Sequence, residues 1–141
     1  MIGKKILVAV HDPDHSSLLT AELEIEDIER EVVLVKDGQK VIEFFKKTDS
    51  NIGYGEVRDQ ISLVLLDLNL PKVHSMDILK FLKKNSKYCS IPVIISSINY
   101  DRKTALEAYK NGADDFITKP ASFKEFTENM NLLKKHILNT N

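Results

Sequence analysis

Ile61-Ser62-Leu63-Val64-Leu65-Leu66-Asp67-Leu68-Asn69 decides the fold of this 141-residue chain. From Ile61 to Leu66 the run is apolar except for Ser62, lacks the alternation of a half-exposed strand, and ends abruptly in an acid and an amide. A strand of that kind is covered on both faces, as in a parallel sheet flanked by helices. Four further runs rich in branched apolar residues stand around it: Ile6-Leu7-Val8-Ala9-Val10, Val32-Val33-Leu34-Val35, Ile91 to Ile95, and Phe116-Ile117.

Between these runs the apolar spacing becomes helical. Asp12 as a cap and Pro13 at a first helical position open one helix, in which Leu18, Leu19 and Leu23 share a face. Val41, Ile42 and Phe45 do the same after Asp37-Gly38. Ser75 is expected to cap the helix carrying Ile78, Leu79 and Leu82, and Asp101 to cap the next, which Asn111-Gly112 ends. Ser122-Phe123-Lys124-Glu125 is a capping box ahead of Phe126, Met130, Leu133 and Ile137. Five strand-helix alternations predict an α/β fold: a flavodoxin-like (βα)5 doubly wound sheet of five parallel strands in the order 2-1-3-4-5. One domain is expected over residues 1–141, with a core of about 4–138 and a loop insertion at about 48–60 that holds Gly53 and Gly55.

Composition narrows the functional classes. Twenty basic and 21 acidic side chains give a net charge of -1, which supplies no electrostatic ground for nucleic-acid or membrane affinity. Lys83, Lys84 and Lys87, like Lys134 and Lys135, read as solvated helix faces. A single cysteine, Cys89, excludes an intrachain disulfide and fits a reducing compartment. The apolar run after Lys4 and Lys5 is too short for a signal peptide or a membrane span, so a cytoplasmic location is expected.

In such sheets the site lies beyond the carboxyl ends of the strands, near the reversal of strand order. There the sequence places His11-Asp12, Asp67-Leu68-Asn69, Ser96-Ser97 and Thr118-Lys119-Pro120. Two carboxylates at one edge repel each other unless a hard cation joins them, and Mg²⁺, with oxygen ligands and retained waters, suits this donor set better than zinc. Lys119 adds a point charge and Ser97 a hydroxyl, the equipment to receive phosphoryl oxygens. The chemistry indicated is phosphoryl transfer onto a carboxylate.

Asp67 at a strand end, Ser97 thirty positions on and Lys119-Pro120 after a further twenty-two resemble the receiver domain of two-component response regulators, the CheY-like superfamily. Leu65 to Pro71, Ile91 to Ile95 and Gly112 to Pro120 are similar to the signatures of that family, in its order. The resemblance implies that Asp67 accepts a phosphoryl group from a sensor histidine kinase or phosphotransfer protein. It also implies that Asp12, Asp67 and the backbone carbonyl of Asn69 bind Mg²⁺, and that Lys119 pairs with the phosphoryl oxygens. Ser97 matches the switch hydroxyl and Phe116 the aromatic that turns inward. The face built from the fourth expected helix, fifth strand and last helix then docks a downstream protein, or a second copy of the chain as a homodimer.

Three departures qualify that expectation. The family pairs two acids after its first strand, whereas here His11 precedes Asp12, so weaker Mg²⁺ binding is expected. His11 is the weakest metal candidate, an uncharged replacement whose imidazole favours transition metals if it binds at all. His74-Ser75 stands where Asp-Gly is usual, which predicts a reshaped loop. Ile98 follows the switch hydroxyl in place of a small residue, predicting reduced access and a long-lived phosphoryl group. The chain resembles stand-alone receivers that partner phytochrome-type kinases. It is expected to be a phosphoacceptor with self-catalysed transfer and autodephosphorylation rather than an enzyme, the alternative being a degenerate receiver that binds proteins without phosphorylation. His15, His74 and His136 read as surface residues, and Cys89 as inert.

Overall fold

The computed structural model describes residues 5–11, 31–53, 55–118 and 123–138, the last stretch with only part of its side chains. The expected first helix, with Asp12 and Pro13, and the segment 119–122 with Lys119 and Ser122 lie outside the described residues. The strands are β1 (Lys5–Ala9), β2 (Glu31–Val35), β3 (Ile61–Asp67), β4 (Val93–Ser97) and β5 (Asp115–Thr118). The helices are α1 (Gly38–Asn51), α2 (Ser75–Lys84), α3 (Arg102–Lys110) and α4 (Phe123–Leu138), with a short 3₁₀ turn at Val57–Asp59.

The five strands are parallel in the order β2-β1-β3-β4-β5, as the sequence predicts. β3 is buried along its whole length, which accounts for its unbroken apolar run. Its residues divide by parity. Val64 and Leu66 meet Val41, Phe45, Ile78, Leu79, Leu82 and Ala108, so α1, α2 and α3 cover that face. Leu63 and Leu65 meet Ile6, Val8, Ile94, Ile117 and Leu133, and α4 covers the other. Each fully buried leucine, isoleucine or phenylalanine in these layers stabilises the fold by roughly 1.5–3 kcal/mol. β2 departs from the pattern of a doubly covered strand: it is an edge strand, half-exposed, with Leu34 facing solvent.

Caps fix where the helices begin. Asp37 accepts from the Lys40 amide at 2.9 Å and Asp101 from that of Thr104 at 3.3 Å. These bonds pull both carboxyls below the usual carboxylate value, the backbone bond to Lys40 being the main cause for Asp37 and the Thr104 hydroxyl for Asp101. In α2 the cap is His74, not Ser75: its Nδ1 accepts from the Met76 amide at 3.2 Å, and Ser75 is the first helical residue. A bare N–H needs only an acceptor lone pair, and the imidazole supplies one. α3 ends as expected at Asn111, followed by Gly112 at φ +105°.

The expected loop at 48–60 is shorter than its composition suggests. α1 continues to Asn51, because the Thr48 and Ser50 hydroxyls bond back to the carbonyls of Phe44 and Lys46 rather than breaking the helix. The Asp49 carboxylate there receives the Tyr88 hydroxyl and the Lys87 ammonium. Lys83 is not a solvated lysine either. Its side chain is only 13% exposed, and its ammonium reaches the carbonyls of Cys89 and Ile91 and the Asp114 carboxylate.

Candidate phosphoacceptor site at the carboxyl edge

Strand order reverses between β1 and β3, which opens a crevice at their carboxyl ends. Asp67 is the last residue of β3 and is 3% exposed. Ala9 stands opposite Leu66, so His11, two residues on, leaves the sheet at the same edge. Asp67 pairs across the sheet with Ser96, and Ser97 with Thr118. The structure therefore brings Asp67, Asn69, Ser97 and the end of β5 to one edge.

The turn after β3 is tightly bonded. The Asn69 amide donates to Asp67 Oδ1 at 3.2 Å, and the Leu68 amide donates to the Ser96 carbonyl at 2.8 Å. Ser75, fully buried at the start of α2, donates its hydroxyl to the Asp67 carbonyl. The loop accommodates His74-Ser75 without glycine because the left-handed residue is Lys72, at φ 73°, while His74 is extended. Gly38 is required on the other side. A Cβ there would lie 2.4 Å from the Val73 carbonyl oxygen, and its amide donates to the Pro71 carbonyl at 3.0 Å.

Ser96 and Ser97 are both buried, but they serve opposite faces. Ser97 shares parity with Ile95, whose β5 partner is Phe116, on the face that α1 to α3 cover. Ser96 shares parity with Ile94 on the α4 face. The hydroxyl on the side of the aromatic ring is thus that of Ser97. Phe116 is half-buried and meets Tyr100 edge to face, with centroids 6.1 Å apart. Ile98, which follows Ser97 at the end of β4, is 61% exposed.

Sequence reasoning missed one contact at this edge and two carboxylate clusters at the amino end of the sheet. Ser75 was expected as a cap, yet its hydroxyl turns toward the acid at the end of β3. Lys83 and Asp114 meet across 31 positions, a separation that leaves no periodic signal. His136, expected at the surface, places Nε2 3.2 Å from Asp115 Oδ2, and Tyr109 donates to Asp115 Oδ1 at 3.1 Å.

An open parallel sheet with an acid buried at the carboxyl end of its central strand defines the class: an α/β protein whose site sits at the reversal of strand order. The family model of the response regulator receiver domain matches residues 6–131, and the chain belongs to that family. Response regulator Rcp1 of Synechocystis sp. is 27% identical over 122 residues, covering 86% of this chain and 80% of that protein. The Mn²⁺-bound form of Rcp1 superposes with a TM-score of 0.80 at 23% identity, over 98% of this chain and 96% of that one. The bacteriophytochrome response regulator AtBRR gives a TM-score of 0.73 at 27% identity, over 93% of this chain and 92% of its own. The chain is therefore a two-component receiver, of a family that works with a divalent cation and communicates with histidine kinases and downstream targets. No described helix is long and apolar enough to cross a membrane.

Proposed function

We propose that Asp67 accepts the phosphoryl group. The observation that carries this reading is a buried carboxylate at the carboxyl end of β3, where strand order reverses, with an amide of its own turn on one oxygen. A phosphohistidine of a kinase or phosphotransfer protein loses its P–N bond while an Asp67 carboxylate oxygen forms the new P–O bond, and the freed imidazole takes up a proton. Ser97 and Lys119 receive phosphoryl oxygens. Asp12, Asp67 and the Asn69 carbonyl form a hard oxygen set that fits Mg²⁺, which when bound neutralises charge on the transferring group. His11, exposed at the end of β1, takes no part in that set. Autodephosphorylation returns the acid to its resting state.

The readout is a change of surface. As the Ser97 hydroxyl turns toward the phosphoryl group, Phe116 on the same face of the sheet turns inward and alters the packing of Tyr100. Ile98, Tyr100, Leu106 and Tyr109 are exposed and apolar or aromatic, and they form the docking face for a downstream protein or a second copy of the chain. The likeness to the bacteriophytochrome response regulator AtBRR supports a phytochrome-type kinase as the donor, and its coverage of 93% of this chain and 92% of that one supports a single receiver domain.

The test is intact-mass spectrometry after incubation with Mg²⁺ and a small acyl phosphate, beside Asp67→Asn. A gain of one phosphoryl group in the native chain and none in Asp67→Asn is expected. No gain in the native chain, with no Mg²⁺ binding, favours the degenerate module that docks proteins in one state.

A further inference from the structure

We infer that Ser75 is a positioning residue for phosphoryl acceptance, holding the first peptide of the β3 turn that carries the two metal-binding groups; this rests on the reading of Asp67 as the phosphoacceptor. The Asp67–Leu68 peptide is gripped from two elements at once. Its carbonyl accepts from Ser75 Oγ at 2.5 Å, at the start of α2, and its amide donates to the Ser96 carbonyl of β4 at 2.8 Å. On one side of that peptide stands the Asp67 carboxylate, and on the other, one residue beyond Leu68, Asn69, whose amide already reaches back to Asp67 Oδ1 at 3.2 Å.

The two proposed oxygen donors, the Asp67 carboxylate and the Asn69 carbonyl, are joined through the Asp67–Leu68 and Leu68–Asn69 peptides, and the first of these planes is the one held from both edges. Rotating that plane changes their separation. Because the peptide is planar, the β4 bond and the Ser75 bond hold the same plane from opposite edges, and loss of the Ser75 hydroxyl leaves it held from one edge only. Ser75 is fully buried, and its Oγ is directed at a carbonyl rather than at the helix end, which His74 already caps. A residue serving only to fill space would need no hydroxyl here. Ser75 also ties the start of α2 to the acid's own backbone, so the turn is closed onto one peptide at both ends. Support groups one step removed from a metal typically affect affinity by about 10–100-fold when lost.

The experiment compares the native chain with Ser75→Ala, Ser75→Cys and Ser75→Thr. Mg²⁺ alone is titrated by NMR on the Leu68 and Asn69 amides, thermal unfolding is recorded, and acyl-phosphate labelling of Asp67 is followed by intact mass at low and saturating Mg²⁺. Ser75→Ala and Ser75→Cys are expected to unfold cooperatively yet bind Mg²⁺ about tenfold more weakly. They should label slowly at low Mg²⁺ and approach the native rate at saturation, while Ser75→Thr, which keeps the hydroxyl, stays near native affinity. Native Mg²⁺ affinity in both Ser75→Ala and Ser75→Cys overturns the inference, as does a Ser75→Thr chain that folds but binds as weakly as they do. A native chain that binds Mg²⁺ but takes no phosphoryl group overturns the phosphoacceptor reading and leaves Ser75 decided by the metal titration. A native chain that binds no Mg²⁺ overturns both.

Discussion

The two ends of the sheet solve the same problem, a charge held at the margin of an apolar core, in opposite ways. At the amino end the Lys83 ammonium meets the Ile91 carbonyl at 2.9 Å, the Cys89 carbonyl at 3.2 Å and the Asp114 carboxylate at 2.8 Å. Asp114 in turn accepts the Val93 amide at 2.8 Å, where β4 begins. One cation thus joins α2, the approach to β4 and the turn before β5, with each group satisfied by several partners. At the carboxyl end Asp67 is met by an amide of its own turn, and its peptide is steered by one hydroxyl and one carbonyl. The first arrangement is redundant and serves stability. The second orients an acid and its peptide rather than tying three elements together, so small changes there alter chemistry before they alter folding.

Breaking the amino-end hub should have the largest effect on stability. Lys83→Ala removes the donor to two carbonyls and leaves Asp114 without its cation, a loss of about 3 kcal/mol by hydrogen bonds to a charged group, with the partial exposure of Asp114 keeping it from being larger. Denaturant titration should show that loss, while the surviving folded chain still gains a phosphoryl group on Asp67. Failure of labelling in folded Lys83→Ala would show that the two ends are coupled and not separate. Asp114→Asn, which keeps an acceptor for Val93 but loses the charge, should cost only about 1 kcal/mol.

Gly38→Ala probes the point where stability and site meet. The new Cβ would sit 2.4 Å from the backbone oxygen of Val73, which no side-chain adjustment relieves, so about 2 kcal/mol of destabilisation is expected. Because Val73 belongs to the turn between Asn69 and Ser75, Mg²⁺ affinity should fall with it, unlike in Lys83→Ala. Calorimetric titration with Mg²⁺ on both variants separates the two behaviours.

The sequence makes the carboxyl end more legible than the amino end, and the reason is physical. Strand runs and their terminal residues are local, so β3 and the edge placement of Asp67, Asn69 and Ser97 follow from reading along the chain; only the strand parity that sets Ser97 with Phe116 needed coordinates. Lys83 looked like any lysine of an amphipathic helix, because its partners come from a turn after α2 and from a residue 31 positions away. Ser75 carried a helix-start signal that was real, but one residue displaced: His74 took the capping role, and the serine hydroxyl was left to serve the carbonyl eight positions earlier. The polarity of 48–60 suggested a loop, yet hydroxyls that bond within a helix look the same in sequence as hydroxyls that break one.

The smallest effect concerns a second ionisable group at the amino end of β5. Tyr109 on α3 donates to Asp115, whose other oxygen faces His136 of α4, so three elements converge on one carboxylate. Burial raises the Tyr109 phenol above its ordinary value of 10.0, and the charge and hydrogen bond of Asp115 raise it further. A raised phenol value means that the fold favours the protonated form. Its contribution to stability is therefore complete below pH 10.0 and is lost as pH rises through the higher folded value. Asp115→Asn should lower the Tyr109 tyrosinate midpoint without returning it to the ordinary value, since burial persists, and absorbance titration against Tyr109→Phe isolates that residue from the other tyrosines. Tyr109→Phe should move stability at neutral pH by no more than about 0.5 kcal/mol, because the residue is half-exposed and solvent screens the pair. A larger loss, with an unchanged midpoint in Asp115→Asn, would mean that the ring's packing and not its hydroxyl joins α3 to β5.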